Sequence, residues 1–194
     1  MLTAVQKHGL AFRYDGLALQ YASLDCKDDG KIVLAAVDQN WQALAHASPK
    51  CKNDREIVLA AVQANYQALR MANSACQDDK DIVFAAVRQH EAALQHAGQA
   101  CKHDKTIVLA AVQKNGLCLK YASNACRDDK EIVLADVQSI VFALQHASAA
   151  CRANTEIAQA AKDQCWRRQI SEYGGFVWNS CEGTAAFVRG LCMP

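Results

Sequence analysis

Cys26, Cys51, Cys76, Cys101, Cys126 and Cys151 stand 25 residues apart with no insertion between them. A period kept so strictly makes the chain a tandem array of one small unit that cannot bury its apolar face alone and must stack on its neighbours. The rest of the unit moves in step. Asp29, Asp54, Asp79, Asp104, Asp129 and Asn154 follow each Cys by three residues, and Ile32, Ile57, Ile82, Ile107, Ile132 and Ile157 come three later again. Val37, Val62, Val87, Val112 and Val137 follow, then Leu44, Leu69, Leu94, Leu119 and Leu144.

Each column has a physical reading. The Asp or Asn column suits helix N-caps, since a side-chain oxygen there accepts the unpaired amide hydrogens of the first turn. The pattern I-V-x-A-A-V places Ile32, Val33, Ala36 and Val37 on one face of a helix, which predicts a first helix over about 30–39. Asn40, Asn65, His90 and Asn115 then mark a break, with Asn expected in the left-handed conformation that ends helices. A second short helix is expected to carry Leu44 and Ala47 inward, before Ser48-Pro49 closes the unit.

A rival reading exists. Twenty-five residues is also seven turns of about 3.57 residues, so the same apolar set fits one long coiled-coil helix. The capping punctuation in every unit and the Ala-dominated seam favour the other solution. The expected fold is therefore all-α: a right-handed solenoid of about six stacked two-helix repeats. Residues 1–25 form an N-terminal cap and partial repeat, 26–162 the array, and 163–194 a C-terminal cap or anchor tail.

Composition narrows the function classes. The 21 basic and 20 acidic residues nearly cancel, which removes the electrostatic footprint of a dedicated nucleic-acid binder. No apolar run approaches the roughly 20 residues of a membrane span. The opening MLTAVQKHGL reads as no secretory signal, while import into an organelle stays open.

The stretch D-D-K-E-I-V-L-A-D-V at 128–137, with A-A-V-Q-K-N-G-L-C-L-K-Y-A-S at 110–123, resembles the short helical repeat known as domain of unknown function 4116. The pattern recurs from Asp28 to Ala153, with a damaged copy to about Lys162. The resemblance implies a repeat fold and brings no catalytic residues. It also implies an algal or intracellular bacterial distribution. Two departures stand out: the family favours Leu where this chain has its Cys column, and its turn glycine is kept only as Gly16 and Gly116.

Ten cysteines raise the question of disulfides or metal. Equivalent positions in stacked helices lie roughly 9–10 Å apart, while a disulfide needs Cα atoms within about 7 Å. The column is therefore expected as buried thiols, which favours a reducing compartment, the cytoplasm or an organelle interior. Cys118, Cys165, Cys181 and Cys192 stand outside the column. No metal-ligand motif is present; His96, Cys101 and His103 form the one local cluster, short of the four ligands zinc wants. His46, His96 and His146 are expected as partly exposed stand-ins for the Tyr or Met of alternate units. The pairs Asp28/Asp29, Asp78/Asp79 and Asp128/Asp129 read as caps rather than as acid–base pairs.

Function is read from what the repeat does not need. Trp41 and Tyr66 replace the turn glycine with rings, and Trp166, Arg167, Arg168, Phe176 and Trp178 crowd the tail with residue types that dominate interface hot spots. These are the expected partner-binding residues. The expected function is a non-catalytic scaffold or accessory subunit of a larger protein assembly, with an organellar or photosynthetic complex as the specific version. No cofactor is expected. The alternatives are a small-molecule or pigment carrier and a thiol-based redox sensor.

Overall fold

The computed structural model describes the backbone of residues 16–139 and 141–173, and the side chains of 17–139 and 144–164. All regular structure among these is helical. The chain divides into two compact units, Met1–Cys101 and Lys102–Pro194. The first contains the long helices α1 (Gly30–Gln39), α2 (Arg55–Ala64) and α3 (Lys80–Gln89). The second contains α4 (Lys105–Lys114), α5 (Lys130–Ser139) and α6 (Thr155–Tyr173).

The 25-residue periods that start at Cys26 to Cys126 are built from three segments rather than the two read from the sequence. A short turn of helix holds the Cys, a ten-residue α-helix follows, and a six-residue 3-10 segment closes the period, as in Ser74–Gln77, Lys80–Gln89 and Glu91–His96. The second helix expected from the sequence is this 3-10 segment. It is fixed at both ends within six residues, which leaves no room for a relaxed α-helix. Runs of 3-10 this long are uncommon, yet one precedes every Cys turn from Leu24–Asp28 to Ala149–Arg152; only after Cys151 does α6 run on for 19 residues through the position where the 3-10 segment stands elsewhere.

In the first unit α1 packs on α2 and α2 on α3, while each long helix also folds against its own 3-10 segment. In the second unit α4 packs on α5 and α5 on α6. The buried face of each long helix is the one the periodicity predicts: Ile57, Val58, Ala61 and Val62 in α2, and the same columns in α1, α3 and α4. Ala68 and Leu69 of the 3-10 segment meet them, as do Ala93 and Leu94 one period on. Alanine at two of these positions keeps the segments close together, since it fills little space and still removes a methyl group from water.

The Asp column caps as expected. Asp54 Oδ1 accepts from Glu56 N at 3.0 Å and Ile57 N at 3.3 Å, and Asp79 and Asp104 do the same in their periods. The breaks at Asn40, Asn65, His90 and Asn115 are real, and they interrupt any continuous helix. Their conformation is not left-handed. Asn40 lies at φ −150° and ψ 110°, extended backbone, and its three counterparts match it. The reason is a double duty. The Asn40 N–H still donates to Ala36 O at 2.9 Å, ending one helix, while its Oδ1 accepts from Gln42 N at 2.9 Å and caps the next segment. Extended backbone is what an N-cap requires. His90 does the same with its ring, Nδ1 accepting from Ala92 N at 3.1 Å, so a neutral ring there carries its proton on Nε2.

Successive periods are also stitched through the backbone. Ser48 N donates to Lys27 O at 2.9 Å, Asn73 N to Lys52 O at 2.9 Å and Gly98 N to Gln77 O at 2.7 Å; in the second unit Ser123 N reaches Lys102 O and Ser148 N reaches Arg127 O. The side chain of the accepting residue turns back to cap the 3-10 segment that precedes it: Lys27 Nζ reaches Gln20 O at 2.9 Å and Lys52 Nζ reaches Ala45 O at 2.7 Å. Gln77 does the same, its Nε2 donating to Leu69 O at 3.2 Å and Ala72 O at 3.1 Å, so the use accounts for the long polar residue after Cys26, Cys51 and Cys76.

Candidate interaction surface

Among the described residues the large apolar side chains left exposed are Tyr21, Leu24 and Leu117 on the short segments and Phe84 on a long helix, and Phe84 belongs to an apolar column that recurs in the periods from Cys26 to Cys126. In I-V-L-A-A-V the Leu is the position that the inward face leaves over. Leu34, Leu59 and Phe84 hold it in the first unit, the two leucines half-buried and Phe84 40% exposed. Leu109 and Leu134 hold it in the second, half-buried, with Gln113, Ala135 and Gln138 lining a shallow open groove between them. Sequence reasoning assigned this Leu column no role. The signal was present, because an apolar residue kept outside the 3.6-residue stripe needs its own explanation.

At the helix N-termini the surface is charged and internally paired. Arg55 Nε sits 3.1 Å from Asp79 Oδ2 and its Nη2 engages Asp81 Oδ2. In the second unit Lys105 Nζ lies 2.9 Å from Asp129 and 2.7 Å from Glu131, and Lys130 pairs with Glu156. A base at the first helical position therefore bridges to the cap and first turn of the following period. Partial burial pushes the Asp79 carboxyl up, but the Ile82 amide, the Arg55 guanidinium and the Asp81 amide together outweigh it and hold it below the usual carboxylate range. Asp129 is lowered in the same way, with Lys105 in place of Arg55. These exposed pairs set register more than they add stability.

Of the residues expected to bind a partner, Trp41 and Tyr66 open the 3-10 segments Trp41–His46 and Tyr66–Met71 and are half-buried. Tyr66 stacks on His90, with ring centroids 4.5 Å apart and planes 17° from parallel. Its ring therefore covers the next period's break. Trp166, Arg167 and Arg168 fall on the backbone of α6, and their side chains lie outside the described residues, as do Phe176 and Trp178 altogether. His46, His96 and His146 are half-buried at the ends of their segments, as expected. Burial first, then Lys120 and Arg127, lowers the His146 pKa, so its ring is neutral at pH 7.

The thiol column is buried from Cys51 to Cys151, with Cys26 half-buried, and every cysteine in the described residues is a thiol. It does more than fill space. Cys101 Sγ donates to Asp78 O at 3.3 Å, Cys126 Sγ to His103 O at 3.5 Å and Cys151 Sγ to Asp128 O at 3.2 Å. A leucine would leave each of those carbonyls without that donor, which gives the Cys column a reason that sequence reasoning missed. Burial pushes the thiols of Cys76 and Cys151 up, away from the reactive thiolate. Cys118 lies buried in the column of Ala43, Ala68 and Ala93.

One buried position departs from its column in chemistry as well as size. Asp136 stands where Ala36, Ala61, Ala86, Ala111 and Ala161 stand in other periods; it is fully buried, and neither carboxyl oxygen has a hydrogen-bond partner.

Together these features define an all-α tandem-repeat protein whose inward columns serve packing and capping. The chain belongs to the family described as Domain of unknown function (DUF4116), which matches residues 1–50, 29–77 and 79–127 in tandem. No curated protein and no solved structure matches the chain. Among the described residues no helix is long and apolar enough to cross a membrane.

Proposed function

We propose that this protein is a non-catalytic repeat scaffold, or an accessory subunit of a larger assembly, that binds a protein partner along the outward face of its long helices. The observation that carries this reading is the row Leu34, Leu59 and Phe84 in the first unit, repeated as Leu109 and Leu134 in the second. Apolar side chains recurring every 25 residues at a position the core does not use suit a partner read at regular pitch, and repeat proteins present surfaces of this kind. Phe84 is the anchor of this row, because it is the row's one exposed member and an aromatic ring gives a partner more to cover than a half-buried leucine. Trp41 and Tyr66 frame the opposite end of the period. The reading extends to a compartment that keeps thiols reduced, since a column of unbridged cysteines suits one.

The test is a photo-crosslinking amino acid at position 84, expressed in the native source, with the same probe at buried Ile82 as control. The expected result is one protein crosslinked from position 84 and none from position 82. Diffuse crosslinking to many proteins from both positions overturns the proposal.

A further inference from the structure

Alanine is the residue that the layer between neighbouring long helices accepts, and α5 breaks the rule at one place. Asp136 lies on the face of α5 that carries Ile132, Val133 and Val137, with α4 packed on one side and α6 on the other. Among the described side chains, the buried ones those helices contribute are Ile107, Val108, Ala111 and Val112 from α4 and Ile157 and Ala161 from α6. None can donate a hydrogen bond to a carboxylate. A charge in such a layer is strongly disfavoured, and the group's usual answer is to keep its proton.

We propose that Asp136 is a pH-responsive weak point in the second unit: neutral while α5 is packed, and a source of loosening when the surroundings become alkaline enough to take its proton.

Among the described side chains no donor or opposite charge pairs with this carboxyl. The titratable groups among them on elements packed against α5 are the buried thiols of Cys118 and Cys126, half-buried His146, Tyr121 and Arg127, and the exposed residues Lys105, Lys114, Lys120, Glu156, Lys162 and Asp163. On α5 itself Lys130 pairs with Glu156 and Glu131 with Lys105, both at the solvent-facing N-terminal end. Burial alone drives the Asp136 carboxyl up to about 8.

The sign follows from which state holds the proton. In the unfolded chain an Asp releases it near pH 4, while the folded unit keeps it to about 8. Between those values the folded state binds one more proton, so raising the pH favours unfolding by about tenfold in the equilibrium constant per pH unit. The effect levels off above the folded value. Below pH 4 both states are protonated and it vanishes.

The experiment uses the full chain as wild type, Asp136→Ala and Asp136→Asn, with urea unfolding followed at intervals from pH 4.5 to 9. Asp136→Ala restores the residue of the other periods. The ratio of its unfolding constant to that of wild type is expected to change about tenfold per pH unit up to about pH 8 and then flatten, while Asp136→Asn runs parallel to Asp136→Ala. A ratio independent of pH overturns the proposal. A second readout needs no variant: the carboxyl 13C shift of Asp136 in the wild-type protein titrates with a midpoint well above 6, whereas a midpoint near 4 contradicts it.

Discussion

The carboxylate of Asp78 occupies the space that a side chain at Gly98 would need. A β-carbon built at Gly98 would lie 2.0 Å from Asp78 Oδ1, and the same oxygen accepts from Ala100 N at 2.9 Å. At the Gly98 position four other periods have a serine (Ser23, Ser48, Ser123 and Ser148) and one has Asn73. Ser48 Oγ accepts from Cys51 N at 3.3 Å and donates to Asp28 Oδ1 at 2.6 Å, and Ser148 does the same between Cys151 and Asp128. At Gly98, which has no side chain, the carboxylate of the preceding period reaches across and caps the turn itself.

Gly98→Ala is therefore expected to push Asp78 off its cap and cost about 1 kcal/mol, a drop of roughly 2–4 °C in Tm. Gly98→Ser should cost less, because the hydroxyl takes over the cap and the carboxylate accepts from it. Thermal melts of the two variants check the order; a more stable Ala variant would show that Asp78 is not held there.

The main caps should behave uniformly. Asp54→Ala removes the acceptor for the Glu56 and Ile57 amides and is expected to cost about 1 kcal/mol, and Asp54→Asn much less. Asn154 already caps Glu156 and Ile157 in this way, so urea denaturation of the pair has an internal reference.

How far the sequence could be read follows from which features are local. The inward face of α2 and the cap at Asp54 depend on residue type and spacing within one turn, and both are legible. The extended backbone at Asn40 is not, because Asn serves left-handed ends and N-caps alike, and only the neighbouring segment decides between them. The bond from Cys101 to Asp78 O joins residues 23 apart, and no pattern in the sequence marks that carbonyl as lacking a donor. Asp136 was visible as a break in an alanine column, but its meaning needed the burial. On the candidate surface, the Leu column could be read from the sequence once the inward stripe was assigned, whereas the Tyr66–His90 stack could not.

Thiol chemistry gives an independent check on packing. Burial raises the thiols of Cys76 and Cys151, so at pH 7.5 they stay protonated and shielded. Native alkylation followed by mass spectrometry should label half-buried Cys26 first, with the rest of the column reacting only at the rate of unfolding. Equal labelling of all six without denaturant would contradict the buried ladder.

Acid should loosen the periods at their helix starts. The carboxyls of Asp79 and Asp129 lie below the usual range when folded. Their contribution is thus full above about pH 4, the unfolded value, and is lost as pH falls through the lower folded value. Replacing Arg55 or Lys105 by Met removes one cause of each shift, so helix content followed by circular dichroism should collapse at a higher pH than in wild type. An unchanged acid midpoint would mean that the amide caps alone hold these carboxyls down.

The central claim, that the outward helix face binds a protein, rests most directly on Phe84. The measurement is recovery of the native complex from the source organism with tagged wild type and with Phe84→Glu, quantified against the folded amount of each by circular dichroism. If Phe84 is an anchor, its loss weakens binding by about 2 kcal/mol or more, roughly thirtyfold, with helix content unchanged because the side chain is not part of the core. Equal recovery of the same partner by both proteins would contradict the account.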